Sequence, residues 1–146
     1  NSILIMPNFN TSNVTDMSRM FENCPIYNDQ VASSISNFDT SNVTTMAGMF
    51  RDSFSLDNIQ LDLSKWNTSN VTNMTYMFSG LGKASPNLYI NNFDFSKVSQ
   101  YNFLFSNMDA NSKIYVKDLT TQQYVLNLSS LNRPSTWTTD NVLINQ

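Results

Sequence analysis

Histidine is absent from the 146 residues, which removes the commonest general base and zinc ligand together with any Ser–His or Cys–His nucleophile pair. The one cysteine, Cys24, has no partner for a disulfide, so the fold must hold by packing. It follows "FEN" at a place where related segments carry Ser53, Leu81 and Met108, and it reads as the filling of a small apolar slot, not a reactive thiol. Carboxylates remain, and Asp with Arg alone can act on polysaccharides. No two acidic residues stand in register at adjacent repeats beside a basic partner, so the expectation is a protein without catalytic residues. Asn10, Asp39, Asn67 and Asp94 recur at one position near further oxygen donors. Calcium takes about six to eight oxygens around a sharp glycine turn, and a chain with three glycines offers few such turns; turn residues that satisfy local amides are the expectation instead. Neither a metal nor a cofactor is expected.

These positions recur because the chain repeats itself. "FNTSNVTDMSRMF" at 9–21 returns as "FDTSNVTTMAGMF" at 38–50, "WNTSNVTNMTYMF" at 66–78 and, altered, "FDFSKVSQYNFLF" at 93–105, at intervals of 29, 28 and 27. Three and five residues before each opening aromatic stand Met6 and Leu4, Ile35 and Ser33, Leu63 and Leu61, Ile90 and Leu88. That alternation predicts a short strand with one buried face. After the aromatic, Val14, Met17, Met20 and Phe21 and their copies fall at spacings of three, three and one, which predicts a helix of about two turns. Ser12, Ser41, Ser69 and Ser96, or alternatively Thr15, Thr44, Thr72 and Ser99, are suitable N-caps. The Met columns, Trp66 and the other opening aromatics are expected in the core. A strand, turn and short helix of this size cannot bury enough apolar surface to offset its own ordering, so each repeat needs its neighbours as walls.

Asn13, Asn42 and Asn70 form a second column, read as stacked amides that satisfy turn backbone. The same motif writes most of the N-x-[ST] triplets, which read as turns and not as glycan acceptors. "IYVKDL" at 114–119 places Ile114, Val116 and Leu119 where Leu88, Ile90 and Phe93 stood. "TTQQYVLNL" predicts a further helix and "NVLI" at 141–144 a closing strand, so residues 1–113 are expected to hold four repeats and 114–146 a fifth rung with a cap that stops further stacking. The start lacks such a cap, and the sequence is expected to be a piece of a longer protein. A formal charge of −3 with scattered Lys and Arg argues against nucleic acid. Without an apolar run of membrane length, insertion of this segment into a membrane is not expected.

The phrases "FDTSNVTTMAGMF" and "LDLSKWNTSNVTNMTYMF" resemble the BspA-type leucine-rich-repeat region of bacterial surface proteins, whose repeats read as a leucine strand followed by "W-[ND]-T-S-x-V-T-x-M-x-x-M-F". The tail resembles the segment that closes such arrays in lactic-acid bacteria. The fourth repeat departs with Phe95, Lys97 and Tyr101 in place of Thr, Asn and Met. The resemblance implies an α/β fold: a right-handed leucine-rich-repeat-like solenoid with a parallel β-sheet, short helices and a C-terminal β-α-β cap. It implies display on the cell wall as part of a longer secreted protein, and adhesion to host mucin, extracellular matrix protein or glycan.

The outward side chains of the strands are the place left for a ligand. Four residues before each aromatic come Ile5, Ser34, Asp62, Tyr89 and, one rung on, Tyr115; two before come Pro7, Ser36, Ser64, Asn91 and Lys117. Tyr89 and Tyr115 are expected about 4.8 Å apart along the stack, beside Asp62, Asn91 and Lys117, as a surface for a sugar or a peptide side chain. The same pair could instead only steady the sheet. A non-catalytic adhesin segment, monomeric in isolation, is the expectation. A spacer presenting a distal domain and a polysaccharide-active enzyme are the alternatives.

Overall fold

The computed structural model describes residues 9–26, 29–53, 60–82 and 87–145. Its elements run α1 (Asp29–Ser36), β1 (Gln60–Asp62), β2 (Asn87–Tyr89), β3 (Lys113–Val116), α2 (Leu119–Leu126) and β4 (Val142–Ile144). The strands form one open, wholly parallel sheet in the order β1-β2-β3-β4. Leu61, Leu88, Ile114 and Val142 stand opposite one another and are buried, as the two-residue alternation predicts. Leu4 and Met6, the expected first strand, and the outward Ile5 and Pro7 lie outside the described residues.

Where the second strand was expected, with Ser33 and Ile35, the chain forms α1 instead. The local sequence DQVASSIS explains the correction: Val31, Ala32 and Ile35 are buried together, a helical spacing, while Ser34 and Ser36 turn their hydroxyls back to the carbonyls of Gln30 and Ala32. α1 packs against β1, and the Ile35 carbonyl accepts from Trp66 Nε1 at 3.1 Å.

The segments after the aromatics are the larger correction. Val14–Phe21 and its copies form no helix. Chain turns follow one another, with Met20 N donating to Met17 O, Glu22 N to Arg19 O and Cys24 N to Phe21 O. The alternate amides point along the stack: Met17, Arg19, Phe21 and Asn23 donate to Thr45, Ala47, Met49 and Arg51 of the next repeat at 2.9–3.0 Å. Met46, Gly48, Phe50 and Asp52 do the same to Asn73, Thr75, Met77 and Ser79, and Met74, Tyr76, Phe78 and Gly80 to Gln100, Asn102, Leu104 and Ser106. An α-helix would turn the later of these amides back to carbonyls four residues earlier in the same segment, away from the next repeat. The path requires positive φ at two positions per repeat, Arg19, Gly48, Tyr76 and Phe103, then Asn23, Asp52, Gly80 and Asn107. The second set consists of the residue types that enter this region at least cost.

The serines foreseen as helix caps close short turns instead. The amides of Ser12, Ser41, Ser69 and Ser96 donate to the side-chain oxygens of Asn10, Asp39, Asn67 and Asp94 at 2.8–3.1 Å. Thr11, Thr40 and Thr68 hydroxyls clamp adjacent repeats, each donating to the carbonyl and accepting the amide of one residue of the next, Asp39, Asn67 and Asp94 respectively. Asn42 and Asn70 amides reach back to the carbonyls of Ser12 and Ser41, which is the stacked column expected of them. At the fourth repeat Phe95 replaces the clamping Thr and stacks on Tyr124 of α2 at 4.5 Å.

The core follows from the same registration. Phe21, Phe50, Phe78 and Phe105 stack at 5.6–5.8 Å with planes within 11°, offset pairs each contributing about 0.5–1.5 kcal/mol beyond burial. Phe38, Trp66 and Phe93 are buried, as are Met17, Met46, Met49, Met74 and Met77. Phe9 is 53% exposed and Met20 43%, contrary to their expected core roles, because they lie on the outermost described rung. Leu119, placed by register where Phe93 stood, is 57% exposed: Asp118 caps α2 there, accepting from Thr121 N at 2.9 Å, and the chain leaves the repeat path. Cys24 packs half-buried against the core. No helix among the described residues is long and apolar enough to cross a membrane.

Candidate functional site

β1, β2 and β3 carry Asp62, Tyr89 and Tyr115 to one row, in register with Leu143 of β4. Asp62 is exposed and the tyrosines half-buried. The tyrosine rings lie 4.4 Å apart and 8° from parallel. They face each other along the stack, so their mutual faces are spent on one another and their edges and hydroxyls are what the surface offers. Burial, then the proximity of Tyr115 and Asp62, pushes the Tyr89 hydroxyl above its ordinary pKa, which keeps it a neutral donor throughout the physiological range. Asp62 Oδ1 accepts from Ser64 N at 2.9 Å, and Asp62 borders a groove of about 530 Å³ to which Asp29 and Ser33 of α1, Gln60 of β1 and Lys65 also contribute.

Asn91 and Lys117 stand two residues further along their chains, on the next row. Asn91 Nδ2 donates to the Asn145 carbonyl, while Asn145 N donates to Val116 O at 2.7 Å. The other end of the amide, Asn91 Oδ1, is buried with no donor among the described residues. It borders a cleft of about 300 Å³ formed with Asn92, Lys117, Asp118 and Asn145. Lys117 and Asp118 also line a neighbouring cleft of about 460 Å³ floored by Phe93, Phe95 and Tyr124. Hydrogen bonds from Thr121, backbone then side chain, hold the Asp118 carboxyl below its ordinary pKa, with Lys117 adding to this. The five singled-out residues do not share one cavity: Asp62 borders the α1 groove, the tyrosine pair forms a ridge, and Asn91 with Lys117 borders the smaller cleft beside Asn145.

A second aromatic pair went unforeseen. Tyr76 and Phe103 stack at 4.7 Å on the turn side of the molecule, and the Arg51 guanidinium sits 4.1 Å over Tyr76. They border a groove of about 540 Å³ closed by Arg133 and Leu131. Read as helix positions, Tyr76 and Phe103 carried no surface signal; their shared left-handed backbone is what brings them out together. In the column of Asn10, Asp39, Asn67 and Asp94 each Oδ1 accepts from the serine two residues on, and these bonds hold Asp39 and Asp94 below the ordinary carboxylate pKa.

Against known proteins, residues 3–119 match the model of a family described as "Mycoplasma protein of unknown function, DUF285". No curated protein and no solved structure matches.

Proposed function

The chain belongs to the DUF285 family, and from that premise we propose that it is a right-handed, leucine-rich-repeat-like solenoid of the BspA type that serves as a non-catalytic adhesive segment of a bacterial surface protein. Its partners are host mucin, extracellular matrix protein or glycan. The observation that carries the reading is the row Asp62–Tyr89–Tyr115, set in register by three parallel strands, with the Asn91 amide and the Lys117 ammonium beside a shared cleft on the next row. Carboxylate, phenol, amide and ammonium at fixed spacing on a sheet form a rigid polar surface for hydroxyl-rich or peptide ligands. Single contacts are weak, and many copies on one cell wall supply avidity.

Binding of the isolated domain on an array of mucins, matrix proteins and glycans tests the reading. Tyr89→Ala with Tyr115→Ala is expected to lower binding at least about tenfold, the range of a lost aromatic anchor. Binding that survives both changes places the contact on another face. The absence of any binding favours a spacer, a role to which the continuous hydrogen-bond ladder between repeats is well suited. Turnover of a polysaccharide abolished by one carboxylate change would overturn the non-catalytic reading.

A further inference from the structure

The stack on the turn side of the molecule stops one layer short of the cap. Arg51, Tyr76 and Phe103 follow one another in three successive repeats, the guanidinium 4.1 Å from the Tyr76 ring and the two rings 4.7 Å apart and 15° from parallel. Register gives the next place to Leu131, because Phe105 N donates to Asn132 O as Phe78 N, one layer earlier, donates to Leu104 O. Leu131 is 67% exposed, too open to cover a ring. Phe103 N bonds Asn132 Oδ1 at 2.7 Å in place of the Ser130 carbonyl that register assigns to it. Tyr76 holds one face of Phe103, so its other face and its rim are what Phe103 contributes to the groove of about 540 Å³ that it lines with Leu131. Arg133 closes that groove. Its guanidinium donates to the carbonyls of Leu126, Leu128 and Pro134 and forms no ion pair among the described residues, so its charge is not offset by a carboxylate. Asn107, Ser130 and Ser135 give the groove an exposed rim of amide and hydroxyl groups.

We propose that this groove binds one acidic sugar unit, a pyranose bearing a carboxylate, with its C–H face on the outer face of Phe103 as the layer the stack lacks and its carboxylate drawn to Arg133. A pyranose has an apolar C–H face inside a perimeter of hydroxyls, and the groove has an aromatic face inside a perimeter of amide and hydroxyl groups. The two match in shape and in polarity. A phenyl side chain of a peptide would cover Phe103 as well, but it carries nothing for Asn107, Ser130 and Ser135 to bond and no charge for Arg133. A neutral sugar would satisfy the rim and leave the arginine unanswered. The groove shares no residue with the Asp62–Tyr89–Tyr115 row, so this site goes beyond the adhesive surface described above and does not depend on it.

Titration of the full chain with glucuronate, followed by the amide shifts of Phe103, Asn107 and Ser130, tests the site. Saturating shifts at these amides are expected, and glucose, which lacks the charge, is expected to bind at least about tenfold more weakly. Phe103→Ala is expected to weaken glucuronate binding about fivefold, the range of a lost ring contact. Leu131→Glu, at an exposed position, sets a like charge beside the ligand and is expected to weaken binding without disturbing the fold. Tyr89→Ala with Tyr115→Ala is expected to leave glucuronate binding unchanged while lowering adhesion through the sheet row, so the two readings fail separately. The proposal is overturned by absent shifts with glucuronate, by equal affinity for glucose, by tighter binding of N-acetylphenylalanine amide, or by undiminished binding in either single variant.

Discussion

The two ends of this molecule are made from the same repeat and differ in what covers them. At residues 114–145 the last Phe of the column, Phe105, meets Trp137 at 5.7 Å, and Trp137 Nε1 is tied to the Asp109 carbonyl at 3.2 Å. Arg133 fastens the closing loop by donating to the carbonyls of Leu126, Leu128 and Pro134, and β4 extends the sheet by one strand. At residues 9–23 Phe9 and Met20 emerge although Phe21 and Met17 stay buried, and the carbonyls of Asp16, Ser18, Met20 and Glu22 accept no backbone amide among the described residues. The difference teaches that the repeat motif supplies only half of an interface; the other half is whatever lies on the next layer.

If that is right, one substitution should have very different costs by layer. Phe38→Ala, at the place of Phe9 one repeat on, buried and packed between Phe21 and Trp66, is expected to destabilise by about 3–5 kcal/mol. Phe9→Ala is expected to stay within about 0.5 kcal/mol. Urea unfolding of both variants measures the contrast, and equal costs would break it. Asn132→Ala leaves Phe103 N without its acceptor and is expected to cost about 1–3 kcal/mol, with faster exchange of the Phe103 amide but not of the Arg19 amide at the other end.

Smaller effects sharpen the comparison. Arg19 holds φ 59° with a largely exposed side chain, so Arg19→Gly is expected to stabilise by up to about 1 kcal/mol. Phe103→Gly, at the same backbone position but packed on Tyr76, is expected not to, as thermal unfolding of the pair can show. The smallest effect is on acid stability. Serine hydrogen bonds lower the folded pKa of Asp39 and Asp94 below 3.8. Their contribution is therefore present above about pH 4 and is lost as pH falls through the folded values. Asn10 and Asn67 make the same turns without charge, so Asp39→Asn with Asp94→Asn should leave stability at pH 7 unchanged and flatten its decline below pH 4.

The parallel sheet was legible because Leu61, Leu88 and Ile114 alternate with polar residues at a constant repeat offset, and period two is a strong signal even in three-residue strands. α2 and β4 were legible too, the former from a run free of Gly and Pro after Asp118. The turn ladder was not, because spacings of three, three and one fit a helix as well as successive turns; only the Asn, Asp and Gly at 23, 52, 80 and 107 mark the left-handed residues that separate the two. α1 hid for the opposite reason: Ser33 and Ile35 keep the strand register, and Val31 with Ala32 decides for a helix only once β1 provides something to pack on. For the candidate site, the register of Asp62, Tyr89 and Tyr115 could be counted from the sequence. That the rings would close on each other, and that Asn91 would be drawn to Asn145, depends on rotamers and on a loop more than 50 residues away.

The most direct test of the layered ladder is detection of scalar couplings across hydrogen bonds in a labelled sample. Gly48 N should couple to the carbonyl carbon of Thr75, and Phe50 N to that of Met77, both links joining one repeat to the next. Couplings from Phe50 N to Met46 instead, the pattern of an isolated helix, would contradict the account.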